Sequence, residues 1–125
     1  MADQKLGVIG WLDLTVPDAE NIREFYEKVV GWTSAPLSMG DYNDYVMTPP
    51  GVEDGVAGVC HARGGNAGVP PMWIPYFTVA DAEKSAAEAE SRGAEFIKPI
   101  SPYGPTGKWC VIRDPAGATF ALFQH

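Results

Sequence analysis

Thr15-Val16-Pro17-Asp18-Ala19-Glu20 recurs as Thr78-Val79-Ala80-Asp81-Ala82-Glu83, five identities in six positions at an offset of 63. The chain is 125 residues long, so the offset is half its length. A solenoid would repeat every ~20–50 residues in three or more copies, so a single recurrence at this distance indicates one duplicated module. Both copies lie at the junction of a strand and a helix. Before the first, Val8 to Val16 alternates, with Leu12, Leu14 and Val16 on one strand face and Trp11, Asp13 and Thr15 on the other. After it, Asp18 suits a helix N-cap, Ile22, Phe25, Tyr26 and Val29 recur at helical spacing, and Gly31 ends the helix. In the second copy Ile74, Tyr76 and Thr78 form one strand face, Phe77 and Val79 the other, with Asp81 as cap and Gly93 as stop.

Shorter β-like runs follow each helix. They span Trp32 to Leu37, Asp44 to Thr48 and Val56 to His61 in the first half, and Glu95 to Ile100, Lys108 to Asp114 and Thr119 to Gln124 in the second. Asp114-Pro115-Ala116-Gly117 has Pro second and Gly fourth, which fits a type I turn in a hairpin. Each half is therefore β-α-β-β-β, module 1 over residues 1–63 and module 2 over residues 72–125. The Gly/Pro-rich stretch 64–71 joins them. That stretch is not a phosphate loop, because it lacks the Lys-Ser/Thr ending and opens no helix.

Composition excludes several classes of function. Apolar residues make up 46% and charged residues 20%, the balance of an ordinary globular domain. A net charge of −7 without a basic cluster opposes binding to nucleic acid or to anionic lipid, so no partner of either kind is expected. The N-terminus lacks the basic-then-apolar order of a secretion signal and no apolar run is long enough to span a membrane, so a cytoplasmic location is expected. Cys60 and Cys110 have no C-x-x-C spacing and are expected as buried, reduced thiols.

Paired βαβββ modules, a Leu-x-Val-x-Asp strand before a helix ending in Gly, and the closing Asp-Pro-Ala-Gly hairpin together resemble the vicinal oxygen chelate superfamily of glyoxalases, bleomycin-resistance proteins and extradiol dioxygenases. The segments Trp73 to Val79, Arg92-Gly93-Ala94 and Asp114 to Leu122 are most similar to its glyoxalase-like branch. The resemblance implies an α+β fold: one domain whose two modules form a curved, eight-stranded mixed sheet, a cup holding the ligand, with helices on the outside. It also implies a homodimer. Metal-dependent members draw one ligand, normally His, Gln or Glu, from the first and last strand of each module. Carried onto this sequence, those places fall on Trp11, Val59, Ile74 and Ala121, none of which offers a lone pair to a divalent cation. A two-residue slip at Val59 would bring in only His61. No metal and no cofactor are therefore expected, and neither is a metal-dependent glyoxalase or dioxygenase activity.

By alternation the cup face would carry Trp11, Asp13 and Thr15; Ala57, Val59 and His61; Ile74, Tyr76 and Thr78; and Thr119, Ala121 and Phe123. Aromatic and aliphatic side chains with a few polar groups suit a small-molecule pocket. His61 beside Asp13 would make a base oriented by a carboxylate, the pair a metal-independent lyase or isomerase would need. Alternatively Asp13 bonds to neighbouring hydroxyls, His61 sits at a wet strand end, and the protein sequesters its ligand without turning it over. Ser101 to Gly107 reads either as a lid that lays Tyr103 over the cup mouth or as a plain connection.

Overall fold

The computed structural model describes residues 5–125. Among the described residues, eight strands, paired both parallel and antiparallel, and two α-helices make up the α+β fold. The chain divides into two compact units. One is Trp11–Trp73, and the other combines the residues through Gly10 with Ile74–His125. The grouping differs from a division at residues 64–71, and hydrogen bonds explain it. Gly7 N–H donates to the Thr78 carbonyl at 2.7 Å and Thr78 N–H donates to the Val8 carbonyl at 3.0 Å. Gly10 permits this approach, since a Cβ there would lie 2.9 Å from Thr78 Oγ1.

In the first unit β1 (Ile9–Val16), α1 (Ala19–Val30), β2 (Thr33–Ser38), β3 (Asn43–Thr48) and β4 (Ala57–His61) follow in order. The strands lie as β2-β3-β4-β1, with β4 and β1 parallel and the other pairs antiparallel. Helix α1 starts where the Asp18 side chain accepts from Asn21 N–H at 3.2 Å, and stops at Gly31, whose φ of 87° few other residues adopt without strain. The core is Ala19, Met47 and Val59, with Val16, Ile22, Tyr26, Trp32, Tyr45 and Trp73 packed around it. Trp73 Nε1 donates to Tyr26 Oη at 3.1 Å, which satisfies an indole set among apolar neighbours.

The second unit holds β5 (Trp73–Thr78, from Ile74 on), α2 (Ala82–Ser91), β6 (Glu95–Tyr103), β7 (Gly107–Arg113) and β8 (Thr119–Gln124). Its strands lie as β5-β8-β7-β6, with β5 and β8 parallel. Asp81 accepts from Lys84 N–H at 3.1 Å, so both copies of the repeated Asp cap their helices. Gln124 adds a second tie by accepting Ala82 N–H at 2.8 Å. Ala86, Cys110, Ile112 and Leu122 form the core, and burial pushes the Cys110 thiol up to about 11. The expected turn is present: Gly117 N–H donates to the Asp114 carbonyl at 2.9 Å, and the Asp114 side chain accepts from Ala116 and Ala118.

One stretch differs from the sequence expectation. Ser101, Pro102 and Tyr103 are not loop but strand, paired with Trp109, Lys108 and Gly107, so β6 runs to Tyr103 and the connection shrinks to Gly104, Pro105 and Thr106. A seven-residue lid is therefore absent. Prolines at 99 and 102 are tolerated because β6 is the last strand in its order and is broken by register shifts between Phe96 and Lys98 and between Lys98 and Ser101. Among the described residues no helix is long and apolar enough to cross a membrane.

Candidate functional site

In the first unit the parallel register pairs Asp13 with Gly58, Leu14 with Val59 and Val16 with His61. Side chains of paired residues share a face and alternate along each strand. Trp11, Asp13 and Thr15 therefore share their face with Gly58 and Cys60. Pairing of β3 with β4 adds Val46, and with it Asp44, to the same side. Val59 lies on the opposite side with Tyr45, packed in the Ala19 and Met47 core beneath α1. The sequence expectation for β4 is thus out of phase by one residue. Val59 is in the core of its unit and not on the face of Trp11 and Asp13, and His61 does not share a face with Asp13.

The two polar residues have separate partners. Trp11 Nε1 donates to Asp13 Oδ1 at 2.6 Å. Gly58 makes room for this pair: a Cβ there would collide with Asp13 Oδ1 and lie 3.3 Å from Trp11 Nε1. His61 Nδ1 lies 2.8 Å from the Asn43 carbonyl oxygen and 3.7 Å from Asp44 Oδ1, while Asp44, only 4% exposed, accepts His61 N–H at 2.8 Å. A carbonyl oxygen only accepts, so Nδ1 carries the proton and the lone pair of the neutral ring sits on Nε2. Around this corner the Tyr42 ring meets His61 edge-on at 5.4 Å, and the Arg63 guanidinium lies 4.2 Å above Tyr42 and pairs with Asp41 at 3.3 Å. The carboxylate beside His61 is therefore Asp44. Its distance of seventeen residues from His61 left no local signal to find it by.

In the second unit the expected face is in register. Tyr76 pairs with Ala121 and Thr78 with Phe123, which places Ile74, Tyr76, Ala121 and Phe123 on one side. Ile74 and Ala121 are buried floor residues, while Tyr76 and Phe123 are half-buried. Strand β7 adds Trp109, which pairs with Phe123 and stacks on Tyr76 at 6.3 Å with 25° between the rings. Sequence reasoning passed over Trp109, although Trp109, Val111 and Arg113 alternate as a strand face should. Tyr103, 59% exposed, meets Phe123 edge-on at 5.1 Å, so it lies against this aromatic group without a lid to carry it. His125 meets the other side of Phe123 at 4.8 Å.

The Glyoxalase/Bleomycin resistance protein/Dioxygenase superfamily matches residues 8–122. The chain belongs to that superfamily. Curated relatives include "Putative glyoxylase CFP32" of Mycobacterium bovis, 30% identical over 118 residues that cover 94% of this chain and 44% of the relative. "Anthracycline biosynthesis protein DnrV" of Streptomyces peucetius is 31% identical over 133 residues, covering 94% and 47%. The chain spans about half the length of these relatives. Among solved structures, methylmalonyl-CoA epimerase from Mycobacterium tuberculosis superposes with a TM-score of 0.58 at 14% identity, covering 99% of this chain and 92% of that one. A superfamily member from Vibrio splendidus 12B01 gives 0.58 at 17% identity, covering 91% and 96%. At such identities the likeness shows the superfamily fold alone. The metal places that the resemblance implies are not met by these residues. In the first unit the register puts Gly58, not Val59, on the Trp11 side, and neither Trp11 nor Gly58 has a donor side chain for a metal; Ile74 and Ala121 of the second unit have none either. Among the described residues no three of His, Cys, Asp and Glu gather as a metal site.

Proposed function

We propose that this chain is a small-molecule binding module of the superfamily that works without a divalent metal and holds a flat organic compound by stacking. The observation that carries the reading is the aromatic group of the second unit, where Tyr76 and Trp109 stack and Phe123 and Tyr103 meet edge-on over the Ile74 and Ala121 floor. Such surfaces gain from apolar burial and ring geometry together. The relative named for anthracycline biosynthesis supports a fused-ring ligand class. Against proton transfer by His61 and Asp13 stands their register on opposite faces of β4 and β1.

A second reading, a metal-independent lyase or isomerase, has one observation in its favour: the oriented His61 imidazole beside the buried Asp44. A thermal-shift screen of fused-ring aromatics separates the two. Trp109→Ala is expected to weaken any hit by about tenfold or more, from the loss of stacking and buried area, while His61→Ala leaves affinity unchanged. A hit that is turned over, with turnover abolished by His61→Ala and binding kept, would establish the enzyme instead. The metal part of the proposal has its own check. Elemental analysis of the purified protein is expected to find no stoichiometric divalent metal, and added zinc, nickel or iron should not raise the melting temperature, as any ion bound to the folded state must.

A further inference from the structure

We infer that the exposed side of α1 is a contact through which two copies of this chain pair, antiparallel and about a two-fold axis at residue 26. The resemblance implies a homodimer but names no surface, and the surface inferred here stands on α1 alone, independent of the flat-ligand reading. Phe25 and Val29 are 54% and 64% exposed, and their spacing of four residues puts them one turn apart on one side of the helix. Phe25 meets the half-buried Tyr26 edge-on at 5.2 Å, and Tyr26 meets Trp73 in the same way at 5.2 Å. The outer ring is thus backed by packed aromatics, and a side chain already held in place loses little freedom on meeting a partner.

Charge decides the occupant. Glu24 and Lys28 are both exposed and form the neighbouring row of the helix, each one position before an apolar residue of the stripe. An acid four residues before a base is well placed to pair with it, yet among the described residues neither Glu24 nor Lys28 joins an ion pair, whereas Arg23 and Glu27 on the same helix do at 3.1 Å. A helix rises about 1.5 Å per residue, so Lys28 lies about 3 Å beyond residue 26 and Glu24 about 3 Å before it. A half-turn about an axis at residue 26 therefore sets each Lys28 level with Glu24 of the partner subunit, and Phe25 beside Phe25 of the partner subunit. Parallel helices would set like charges level instead. Other occupants fit less well. A strongly acidic or strongly basic partner meets one opposing charge here, and a net charge of −7 opposes an anionic lipid surface. Four residues a side are few against the roughly 20–30 of a stable interface, so the dissociation constant should be about 0.1–1 mM. The chain is then monomeric at the low-micromolar concentrations of an unfolding titration.

Sedimentation equilibrium of the full chain, taken up to about 1 mM, tests the pairing by charge reversal. Lys28→Glu puts only acids in the row and Glu24→Lys only bases, so each variant alone should dimerise about tenfold more weakly than the parent. An equimolar mixture of the two sets every acid level with a base, and should associate at least as tightly as the parent. Phe25→Ser, introduced into both variants, should abolish that association. All three positions are exposed, and circular dichroism of each variant should match the parent. A parent that stays monomeric to about 1 mM would overturn the inference. So would a dimer that Lys28→Glu leaves unchanged, a mixture that associates no better than either variant alone, or a mixed dimer that survives Phe25→Ser, since each would place the contact on another surface.

Discussion

Ile112→Ala is expected to lower the unfolding free energy by about 2–5 kcal/mol, and Met47→Ala by a similar amount, in urea titrations of the full chain. Both side chains are fully inaccessible, one at the centre of each unit's core. The cost has two parts: lost transfer of apolar atoms from water, and a cavity that the surroundings fill only partly. Ile112 sits beneath α2, which offers Ala86 and Ala89 to that core and so has no long side chain to fold into the gap. Met47 is covered by Ile22 and Tyr26 of α1, and Tyr26 is itself held by the Trp73 indole. Phe25, 54% exposed on α1 and touching Tyr26 edge-on at 5.2 Å, is the control, and Phe25→Ala should cost no more than about 1.5 kcal/mol, the range for one aromatic pair. An Ile112→Ala protein no less stable than Phe25→Ala would mean that the packing under α2 is wrong.

What the sequence discloses and what it withholds divide along one physical line. The repeated hexapeptide places both Asp caps, the Asp114 turn is specified by its own four residues, and β1, β5 and β8 alternate large apolar with polar or aromatic side chains. All three are local signals, and the structure carries them as expected. β4 is different. Ala57-Gly58-Val59-Cys60-His61 has small or apolar residues on both faces, so nothing in the five residues fixes which set turns inward. A slip of one residue exchanges the faces of a strand entirely, and here it moved Val59 into the core and separated His61 from Asp13. The carboxylate beside His61 comes from β3, brought there by sheet pairing that no local pattern announces. Likewise Pro102, Gly104, Pro105 and Gly107 look like a loop by composition, yet the first and last of them are ladder residues.

Gly107→Ala follows from that last point and should cost about 1–3 kcal/mol, the range for forcing volume into a packed site. Gly107 is buried and opposite Tyr103 in the β6–β7 ladder, with β8 on its other side. A Cβ at this position would run into the Tyr103 carbonyl oxygen and lie 3.1 Å from that of Gln124. Both obstacles are backbone, so no side-chain rotation relieves them and the strands themselves must separate. Two consequences extend to the site. Displacing Tyr103 moves its ring from Phe123, which should weaken fused-ring ligands along with stability. Displacing Gln124 loosens its bond to Ala82 N–H at the start of α2. Gly65→Ala is the matched control, because a Cβ there meets nothing within 4 Å, and it should be within about 0.5 kcal/mol of the parent. Thermal unfolding and near-ultraviolet circular dichroism of the two variants decide the matter. A Gly107→Ala protein with the parent's melting temperature and aromatic signal would show that β6 and β7 do not close on Tyr103 and Gly107, and Tyr103 would then have no fixed place beside Phe123.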